Sequence, residues 1–554
     1  MIYNFDFTTH DELELLEETI EERVDSINID SSSVENLELN DPFSEFNQSE
    51  YHTILFKEDS DKVFSDEWND EYVKLPCSQS NFEDKHQSLW PKICDSLTKL
   101  KKEIEDSSDV INFGAQLFAA VNDYNSTIQN FDNLSLLFQE INLIDEIFDK
   151  ENILKNVMPK VIDLALKLPE LIQKKIPILK SGKTHSISIT QEQCACLLAN
   201  AFFCTFPSQR NLETLPFINF DRLFMKSDQP SDITNLEKLK CILHYFKRII
   251  EKLDSKPETI SYVTYCRISN PNVKNAHFLK SKKKIRVPII SNCSRIEECK
   301  GALQLDFASK LIGSNVLSTG CVQEEIRFSI CPEFIVSMVF TESLDDDECV
   351  IIRGAERFSS YNGYDESFKW TGDFVDNTER DKFNRIMTDV LAIDPLFFED
   401  PLEQYREDTL WREVKKCYVG FSLKSRYNLD DDNLPRIATG NWGCGAFNGN
   451  KELKFLIQII VASEVNRDLV YYTFDNKETC KNMIRIIDII QKNSLEVGQV
   501  YRILNRYCHK VQKFLNKSGN LSPTVQFKDF IISFFNLKKN DSLVDYFDHH
   551  SKKN

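Results

Sequence analysis

The amino-acid sequence predicts an α/β protein in which a mixed β-sheet is flanked by helices and preceded by a helical region. Two observations support this class. Residues 86–255 carry apolar residues at helical spacing, with Pro and Ser-Gly between segments, as in DVINFGAQLFAAVNDY. Beyond about residue 258, short β-branched or aromatic runs alternate with helical stretches, which indicates a largely buried mixed sheet.

Each element of the second half is predicted from its hydrophobic period. The runs that predict strands are TISYVTYCRI, KIRVPII, GALQLDFAS, ECVIIRGAERF, KKCYVGFSL, PRIATGN and DLVYYTF. The stretches that predict helices between them are PEFIVSMVFTE, RDKFNRIMTDVLA and NKELKFLIQIIVASEVN. The expected order is an acidic, disordered leader over 1–85, a helical accessory region over 86–255, an α/β core over 256–480 and a C-terminal helical segment over 481–554 that packs on the core.

The length of 554 residues exceeds the usual size of one domain, and the charge is unevenly distributed along it. Residues 1–70 hold 21 of the 87 acidic side chains but only three basic ones. The rest of the chain is close to neutral, so the formal charge of -20 does not exclude a polyphosphate ligand. Within the leader, DELELLEETIEERVDSI has the pattern of a short helix that could bind an unknown protein, although a solvated leader is the simpler interpretation.

The 16 cysteines show no paired CxxC spacing of the zinc-binding kind, so we interpret them as reduced thiols and expect no metal site. The N-terminal sequence lacks a basic region followed by an apolar stretch, and no apolar run of about 18 residues occurs. The sequence therefore predicts neither a signal peptide nor membrane association.

Two adjacent carboxylates, Glu324 and Glu325, follow the predicted strand GALQLDFAS and the loop KLIGSNVLSTGCV. Ligands of open α/β sheets bind at such strand ends. Because neighbouring carboxylates repel when both are ionised, one of them gains proton affinity and can act as a general acid near neutral pH. Glycoside cleavage needs such an acid to protonate the departing sugar oxygen. In isolation, however, a Glu-Glu pair usually lies on a solvated helix face.

A run of small residues follows the predicted strand PRIATGN and precedes a predicted helix. Because small residues let backbone N–H groups approach a ligand closely, this run is typical of a loop that binds pyrophosphate. We do not interpret the thiol of Cys444 as a nucleophile, since no His is near it in the sequence. The run comprises Asn441, Trp442, Gly443, Cys444, Gly445, Ala446 and Phe447.

The stretch from 303 to 340 resembles the signature region of the poly(ADP-ribose) glycohydrolases. That signature is three glycines, a spacer and Gln-Glu-Glu, and here the spacer VLSTGCV has a matching length. Upstream, ITQEQCACLLANAFFCTF and FINFDRLF resemble the helical lead-in of the family. Downstream, GAERFSSYNGYDESFKW, FNRIMTDVLAIDPL and RIATGNWGCGAFNGNKELKF follow the family in order and spacing. The resemblance covers about 165–510 of the sequence.

This resemblance implies a macrodomain-like core that hydrolyses the α(1''→2') ribosyl-ribose bonds of poly(ADP-ribose), mainly from the free end, and releases ADP-ribose without a cofactor or metal. It implies that Glu325 protonates the leaving ribose oxygen and then activates water, that Glu324 holds the ribose hydroxyls, and that Asp306 supports the site. Phe447 is implied to press on the ribose beside the scissile bond. The other residues that the resemblance places around the substrate, mostly on its adenine side, are Ile296, Glu297, Gln323, Tyr364 and Phe474.

The sequence departs from the family pattern in the phosphate loop, which reads AFNGN where the family has AFGGD, and in two places that bear on the activity. The glycine triplet is Gly313, Ser314 and Asn315 here, and side chains at two of these positions restrict how tightly the loop can curl against a ligand. Ser309 stands where the family has Asn, and its shorter side chain loses a contact worth about 0.5–1.5 kcal/mol with a ribose hydroxyl. Neither change removes a proton-transfer group, so we expect a slower or differently tuned enzyme that keeps these residues in its site, and not an inactive one.

Two other functions remain open from the sequence. The chain could be a non-catalytic or weakly active module that binds ADP-ribose or poly(ADP-ribose), because the altered loop could misplace the acid. It could also hydrolyse mono-ADP-ribosylated protein, in which case it would act on single units and not on chains.

The expected partner is poly(ADP-ribose) attached to proteins, and no sequence-specific binding of nucleic acid is expected. Because the sequence predicts neither a signal peptide nor a membrane span, we expect the protein in the nucleus or the cytoplasm, and the resemblance implies a role in the response to DNA damage. The basic run at 280–286 could be a nuclear import signal or could flank the substrate groove. A solvated loop is the simpler interpretation, because short basic runs are frequent on protein surfaces.

Overall fold

The computed structural model describes most of the chain. The described residues are 48–56, 68–84, 87–106, 113–128, 130–140, 149–207, 214–226, 231–255, 259–292, 294–422, 434–474 and 476–518. Most of the predicted leader, with its amphipathic stretch, lies outside these residues. Its predicted disorder and its predicted protein partner therefore stay predictions.

The described elements alternate between strands and helices. The strands are β1 His52–Ile54, β2 Phe82–Asp84, β3 Gln87–Ser88, β4 His185–Thr190, β5 Tyr262–Ser269, β6 Ile289–Ser291, β7 Leu303–Phe307, β8 Glu348–Gly354, β9 Ser359–Asn362, β10 Lys369–Asp373, β11 Ile386–Ile393, β12 Ile437–Gly440 and β13 Leu469–Tyr472. The α-helices are α1 Trp90–Asp106, α2 Phe113–Tyr124, α3 Asp132–Glu140, α4 Lys150–Asn152, α5 Met158–Leu166, α6 Leu168–Leu171, α7 Gln191–Phe202, α8 Asp221–Phe224, α9 Ser231–Ser255, α10 Asn275–Lys280, α11 Gln323–Ile330, α12 Glu407–Phe421, α13 Lys451–Glu464, α14 Lys477–Lys492 and α15 Val497–Ser518. A π-helical turn covers Ile153–Val157, and 3-10 turns cover Ile296–Glu298, Pro332–Val339, Asp365–Ser367 and Glu403–Tyr405. None of the helices described here is long and apolar enough to cross a membrane.

The chain folds as two compact units. The larger unit comprises the described residues of Asn40–Ser269 and Asp306–Asp394. The smaller unit comprises those of Asn270–Leu305 and Pro395–Asn554. Each unit has its own strands, helices and candidate site residues.

Five strands of the larger unit pair in the order β1-β4-β5-β8-β11. β1 is parallel to β4, and the other pairs are antiparallel. β8 is buried along its whole length, as its apolar run CVII requires of a strand covered on both faces. Helix α7 begins at a capping box. The Gln193 backbone N–H donates to the Thr190 hydroxyl, and the Thr190 backbone N–H donates to the Gln193 side-chain oxygen, each at 3.0 Å. The unit is therefore a mixed sheet covered by helices.

The end of the predicted leader belongs to the larger unit. Strand β1 pairs with β4, and Ile54 and Leu75 are buried in the unit. Strand β4 itself lies within the region predicted to be all-helical. These short strands escaped prediction because the acidic or helical composition of their surroundings outweighs three to six residues of β pattern.

The smaller unit has four strands in the order β7-β12-β13-β6, and all of them are parallel. β12 and β13 are buried at every position, so they carry apolar residues without alternation. Helix α13 begins at Asn450, whose side-chain oxygen accepts the Leu453 N–H at 2.8 Å. The carboxyl end of β12 therefore leads through the loop 441–449 to a capped helix.

Two elements predicted from the sequence are wrong. KKCYVGFSL, predicted as a strand, forms the end of α12, because its apolar residues continue a helical stripe of buried Leu410, Val414, Cys417 and Phe421. RDKFNRIMTDVLA, predicted as a helix, contains strand β11, which pairs with β8. Both errors come from windows that are too short to separate the two periods.

Candidate functional site

The adjacent glutamates open helix α11, as the sequence predicts. Every residue from Glu324 to Ile330 is buried, so the helix is embedded in the larger unit. The Glu325 carboxylate reaches back and accepts the Val322 backbone N–H at 2.8 Å, which satisfies a donor at the helix start. This bond fixes the direction of the Glu325 side chain.

Glu325 keeps one carboxylate oxygen for a ligand. The Val322 N–H occupies Oε2, and within the described part of the chain Oε1 accepts no hydrogen bond. The Cα of Gly320 lies beside this carboxyl, since a Cβ added there would come within 3.1 Å of Oε1. The geometry therefore presents one oriented oxygen of a nearly buried carboxyl group.

Glu324 holds the loop that precedes it. Its Oε1 accepts the Gly313 N–H at 2.7 Å, and its Oε2 accepts the Ser309 N–H at 3.0 Å. Burial raises the pKa of this carboxyl well above its ordinary value, and the neighbouring Asp306 and Glu325 raise it further. Glu324 therefore shapes the loop, and its predicted contact with ribose hydroxyls stays a prediction.

Asp306 lies at the end of β7 and is fully buried. Neither of its carboxylate oxygens has a hydrogen-bond partner among the described residues. Burial raises the pKa of Asp306 from 3.8 to about 8, and the charge of Glu325 raises it in the same direction. Asp306, Glu324 and Glu325 thus form a carboxyl cluster, in which burial and mutual repulsion favour the protonated forms of Asp306 and Glu324.

Replacing Asp306 with Asn is expected to stabilise the protein, and more so as pH rises. The folded-state pKa of Asp306 is raised, so its favourable contribution is complete below the ordinary pKa near 3.8 and is lost as pH rises through about 8. Asn has no proton to lose. Thermal midpoints of the two proteins should therefore diverge between pH 5 and pH 8.5, with the variant higher. Asp347→Asn, at a partly exposed carboxyl in the same unit, is the control. A difference in thermal midpoint between Asp306→Asn and the native protein that does not change with pH would contradict the raised pKa of Asp306.

The altered glycine triplet adopts an unstrained loop. Gly313 has a φ of +72°, which favours glycine, whereas Ser314 and Asn315 are not among the residues with positive φ. Successive turns carry the chain onward, through hydrogen bonds from the Ser314 N–H to Leu311 O and from the Val316 N–H to Gly313 O, at 3.0 and 2.9 Å. Only the first of the three positions needs glycine here, so the two side chains do not prevent the loop from forming.

Gly320 is a site residue that the sequence reasoning missed. A Cβ at this position would lie 2.7 Å from the Cβ of Asn315 and 3.1 Å from the Cδ of Glu325. A glycine only five residues before the predicted acid was the available signal. The loop can approach the Glu325 carboxyl because Gly320 has no side chain.

Gln323 and Tyr364 both lie beside this cluster in the larger unit. The Gln323 side-chain oxygen accepts the Phe307 N–H at 2.8 Å, which ties the helix start to the end of β7. The Tyr364 side chain is 53% exposed, which leaves its ring available to a base. Burial around the phenol raises the pKa of Tyr364 to about 12, and Glu325 contributes to the increase. Their predicted contacts with adenine stay predictions.

The small-residue loop of the smaller unit has unsatisfied backbone donors. The N–H groups of Gly443, Gly445, Ala446 and Phe447 donate to no acceptor within the described residues. Gly443 has a φ of +73°, and a Cβ there would lie 2.6 Å from the Pro395 side chain. The loop precedes the amino terminus of α13, where a phosphate is favoured. This arrangement is suited to an anionic group.

Contacts within the smaller unit hold the side chains of two residues of this loop, Trp442 and Cys444. The Trp442 side chain is fully buried, and the Lys454 Nζ lies 4.2 Å from the centroid of its ring, so the ring supports the loop from inside the smaller unit. The predicted contact of Trp442 with the substrate stays a prediction. The Cys444 thiol lies 3.5 Å from Trp442 O, and burial raises its pKa far above the ordinary value. A raised pKa disfavours the thiolate, which agrees with the absence of a nucleophilic role. The side-chain oxygen of Asn441 accepts a hydrogen bond from the Tyr471 hydroxyl at 3.1 Å.

The remaining predicted residues also lie in the smaller unit. Ile296 is buried, whereas Glu297 beside it is half-buried. Phe474 is 40% exposed and has a φ of +51°, a strained angle for an aromatic residue. A Cβ at Gly440 would lie 2.5 Å from the Phe474 ring, so this ring packs on a bare glycine backbone. Phe447 contacts the exposed Phe397 ring edge to face, at 5.9 Å between centroids.

Three members of the basic run at 280–286 are engaged in ion pairs in the smaller unit. Lys283 lies 3.2 Å from Glu464, Lys284 lies 3.1 Å from Glu496, and Arg286 lies 2.6 Å from Asp468. These pairs fasten the segment to the helices and turns of its own unit. The run is therefore less available to a separate partner than a free basic loop would be.

Comparisons with known proteins show which family the chain belongs to. The family model described as poly(ADP-ribose) glycohydrolase, macro domain fold, matches residues 276–481, and the model for the helical domain of the same family matches 148–267. Together they cover more than half of the chain. The chain belongs to the poly(ADP-ribose) glycohydrolase family. The predicted resemblance, and the macrodomain fold with a preceding helical region, are confirmed.

Curated relatives support the same assignment to the glycohydrolase family. The chain is 32% identical over 420 residues to "Probable poly(ADP-ribose) glycohydrolase 2" of Arabidopsis thaliana, an alignment that covers 65% of this chain and 79% of that protein. It is 30% identical to "Poly(ADP-ribose) glycohydrolase 1" of the same plant, over 66% and 80% of the two chains. It is 31% identical to "Poly(ADP-ribose) glycohydrolase 2" of Caenorhabditis elegans, over 65% and 72%.

The site residues predicted from the glycohydrolase signature fall into two sets. The larger unit holds the carboxyl cluster with the loop 309–323 and Tyr364. The smaller unit holds the loop 441–447, the turn at Ile296 and Phe474. Among the described residues, no group of three or more His, Cys, Asp or Glu side chains is arranged to hold a metal ion.

Proposed function

We propose that this protein hydrolyses the α(1''→2') ribosyl-ribose bonds of poly(ADP-ribose), mainly from the free end, and releases ADP-ribose. The observation that carries the proposal is the Glu325 carboxyl, which is nearly buried, held through Oε2 by the Val322 N–H, and open at Oε1. General acid catalysis needs a carboxyl that is oriented toward the leaving oxygen and can exchange a proton with it.

In the proposed reaction, Glu325 Oε1 donates its proton to the ribose oxygen that leaves, while the bond from that oxygen to the anomeric carbon breaks. The resulting carboxylate then takes a proton from a water molecule as the water oxygen bonds to the anomeric carbon. Glu325 ends the cycle protonated again. Glu324 contributes by holding the Ser309 and Gly313 N–H groups, which sets the loop against which the sugar would lie.

Two further features support an ADP-ribose unit as the bound group. Four N–H groups of the loop 441–447 that donate to no acceptor in the described part of the chain, together with the amino terminus of α13, supply the donors that a pyrophosphate requires. The exposed rings of Tyr364 and Phe474 supply apolar faces of the kind on which an adenine stacks. We propose that each of these sets of residues contacts the substrate.

The proposal of an active enzyme is favoured over a non-catalytic binding module by the backbone of the altered triplet. The module was suggested because Ser314 and Asn315 could misplace the acid. Neither residue occupies a positive φ, and Glu325 keeps its bond to the Val322 N–H in their presence. The altered loop is therefore compatible with an oriented acid.

The test is to incubate the intact protein with purified poly(ADP-ribose), quantify released ADP-ribose, and measure ADP-ribose binding in parallel. Release together with binding is the expected result. Binding without release would replace the proposal with the non-catalytic module, and release only from mono-ADP-ribosylated protein would replace it with a hydrolase of single units.

The cellular context is likewise a proposal. A substrate attached to proteins in the nucleus or cytoplasm, including polymer made in response to DNA damage, would fit the proposed activity. Because three basic residues of the run at 280–286 are paired within their own unit, nuclear entry through this run would require those pairs to open. Imaging the full-length chain with and without Lys280→Ala and Lys282→Ala would show whether the run directs it to the nucleus.

A further inference from the structure

A buried lysine contacts the loop that precedes the proposed acid. Lys238 lies on α9 and is 1% exposed. Its ammonium group donates hydrogen bonds to three backbone carbonyls, those of Val316 at 3.1 Å, Gly320 at 2.8 Å, and Ser318. An ammonium has three N–H donors and no acceptor, so the three carbonyls match its full bonding capacity.

These carbonyls belong to the short segment between the altered glycine triplet and Glu325. Its turns place alternate carbonyls, at 316, 318 and 320, on one side, where they converge on Lys238. The next residues are Cys321 and Val322, and Val322 is the one whose N–H orients Glu325. The lysine therefore fixes the segment only two residues before this bond.

The same helix also braces the hairpin formed by β9 and β10, which carries Tyr364. Glu237, the neighbour of Lys238, accepts the Trp370 backbone N–H of β10 at 2.8 Å. Nearly two turns further along the helix, His244 lies 2.9 Å from Asp373 at the end of β10. Helix α9 is thus a common support, within the larger unit, for the loop before the acid and for the hairpin.

A purely structural role is the simplest alternative for Lys238. Burying an ammonium group is unfavourable unless it is fully hydrogen-bonded, and an apolar side chain would fill the same space without that cost. Here all three acceptors lie in one segment of five residues beside the proposed acid. The contacts therefore concentrate on the segment 316–320 and are not distributed through the core.

We propose that Lys238 is a positioning residue of the glycohydrolase reaction, which holds the segment 316–320 so that Glu325 meets the scissile bond at the reactive distance. This inference rests on the proposed function. Misplacing a reacting group by about 1 Å can cost on the order of a hundredfold in rate, so a contact two residues from the orienting bond can affect turnover strongly.

The positioning role has a pH signature. Burial lowers the pKa of Lys238 from 10.5 to about 8, and loss of its proton removes one of the three donors. Two titratable groups face Lys238 from other elements: Cys321 in the loop, which has Asp365 beside it, and Glu325 on α11. The charged or titratable neighbours on its own helix are Glu237, Lys240 and Cys241. Burial raises the pKa of Cys321 to about 12, so this thiol stays protonated through the relevant range. Turnover should therefore decline as pH rises above about 8.

The experiment compares the intact protein with Lys238→Met, Lys238→Arg and the control Lys247→Met, which removes a partly exposed lysine of the same helix. Release of ADP-ribose from poly(ADP-ribose) gives kcat and KM, and hydrogen exchange of the amides at 316–322 is measured without substrate. Lys238→Met should lower kcat by about ten- to a hundredfold with KM changed by less than about threefold, and should speed exchange at 316–322. Lys238→Arg should keep most of the wild-type kcat that Lys238→Met loses. It should also move the alkaline decline to higher pH, since a guanidinium does not titrate there.

The outcomes separate the two proposals. An intact protein that binds ADP-ribose but releases none would overturn the proposed function, whereas the exchange data would still report on the contact. An active protein whose Lys238→Met variant keeps wild-type kcat and exchange would overturn the positioning role alone. An alkaline decline that is identical in Lys238→Arg would also overturn it, since the decline would then come from a group other than Lys238. If Lys238→Met does not fold, the pH profiles and exchange of the wild-type and Lys238→Arg proteins decide the question.

Discussion

Replacing Glu325 with Gln is expected to lower kcat for release of ADP-ribose by at least about a thousandfold, because one carboxyl supplies both the proton for the leaving oxygen and the base for water. The fold should persist, since the side-chain oxygen of the introduced glutamine could still accept the Val322 N–H that Glu325 Oε2 accepts at 2.8 Å in the native protein. Binding of ADP-ribose should stay within about threefold of the wild-type value.

The measurement is single-turnover release from poly(ADP-ribose), with ADP-ribose titrated calorimetrically into both proteins. Glu379→Gln is the matched control, because it makes the same substitution at an exposed position of the larger unit. A Glu325→Gln protein that keeps more than about a tenth of wild-type kcat would remove Glu325 from the role of acid. A loss of ADP-ribose binding would instead indicate that the substitution disturbed the site.

The acid and its surroundings illustrate what the sequence can predict. A strand, a loop and Gln-Glu-Glu at the start of a helix are all local features, and the structure places them as the pattern predicts, with Asp306 at the end of β7 and Glu324 and Glu325 opening α11. Local spacing determines this part of the site, so the sequence suffices for it.

The contacts that set the loop geometry are long-range and could not be predicted in the same way. Lys238 reaches carbonyls about eighty positions further along the chain, at separations of 78 to 82 residues. Nothing in the pattern of α9 distinguishes this lysine from a solvated one. Its role depends on how a helix and a distant loop pack, which a single sequence does not encode in any local period.

At the altered triplet, the sequence suggests strain that the structure does not show. From the sequence, losing two glycines suggests strain, because glycine is the residue that tolerates positive φ. The structure requires that freedom only at Gly313, with φ of +72°. The need for glycine depends on the backbone angle at each position, and that angle is set by the turns and by the Glu324 bonds to the Ser309 and Gly313 N–H groups.

The short misassigned segments have a related cause. The nine residues KKCYVGFSL contain β-branched and aromatic residues that favour a strand. Their helical stripe becomes visible only when Leu410 and Val414 upstream are included. The sequence likewise cannot show that the Trp442 ring packs on Lys454 inside the smaller unit, because that contact joins a loop to a helix residue whose packing no local period encodes.

Gly320→Ala is expected to lower kcat by about ten- to a hundredfold, because the added methyl group would displace either the loop or the acid. Its Cβ would lie 2.7 Å from the Asn315 Cβ and 3.1 Å from the Glu325 Cδ, and the shorter of these distances is not tolerated without movement. The change should act on turnover more than on KM, since the methyl group lies against the proposed acid. Two measurements separate this effect from a general loss of stability: the rate of ADP-ribose release at saturating polymer, and the thermal midpoint of the variant.

A double-mutant cycle tests whether Asn315 is the residue that makes Gly320 necessary. Asn315→Gly removes the Cβ that the new methyl group would meet, so the loss of kcat on Gly320→Ala should be smaller in the Asn315→Gly background than in the native one. The recovery should be partial, because the Glu325 Cδ still lies 3.1 Å from the added atom. Equal losses in both backgrounds would show that the steric conflict is with Glu325 alone. The side chain at 315 and the absence of one at 320 are therefore expected to be coupled: this loop can carry Asn where its family has glycine because the next close approach along the loop is made by Gly320.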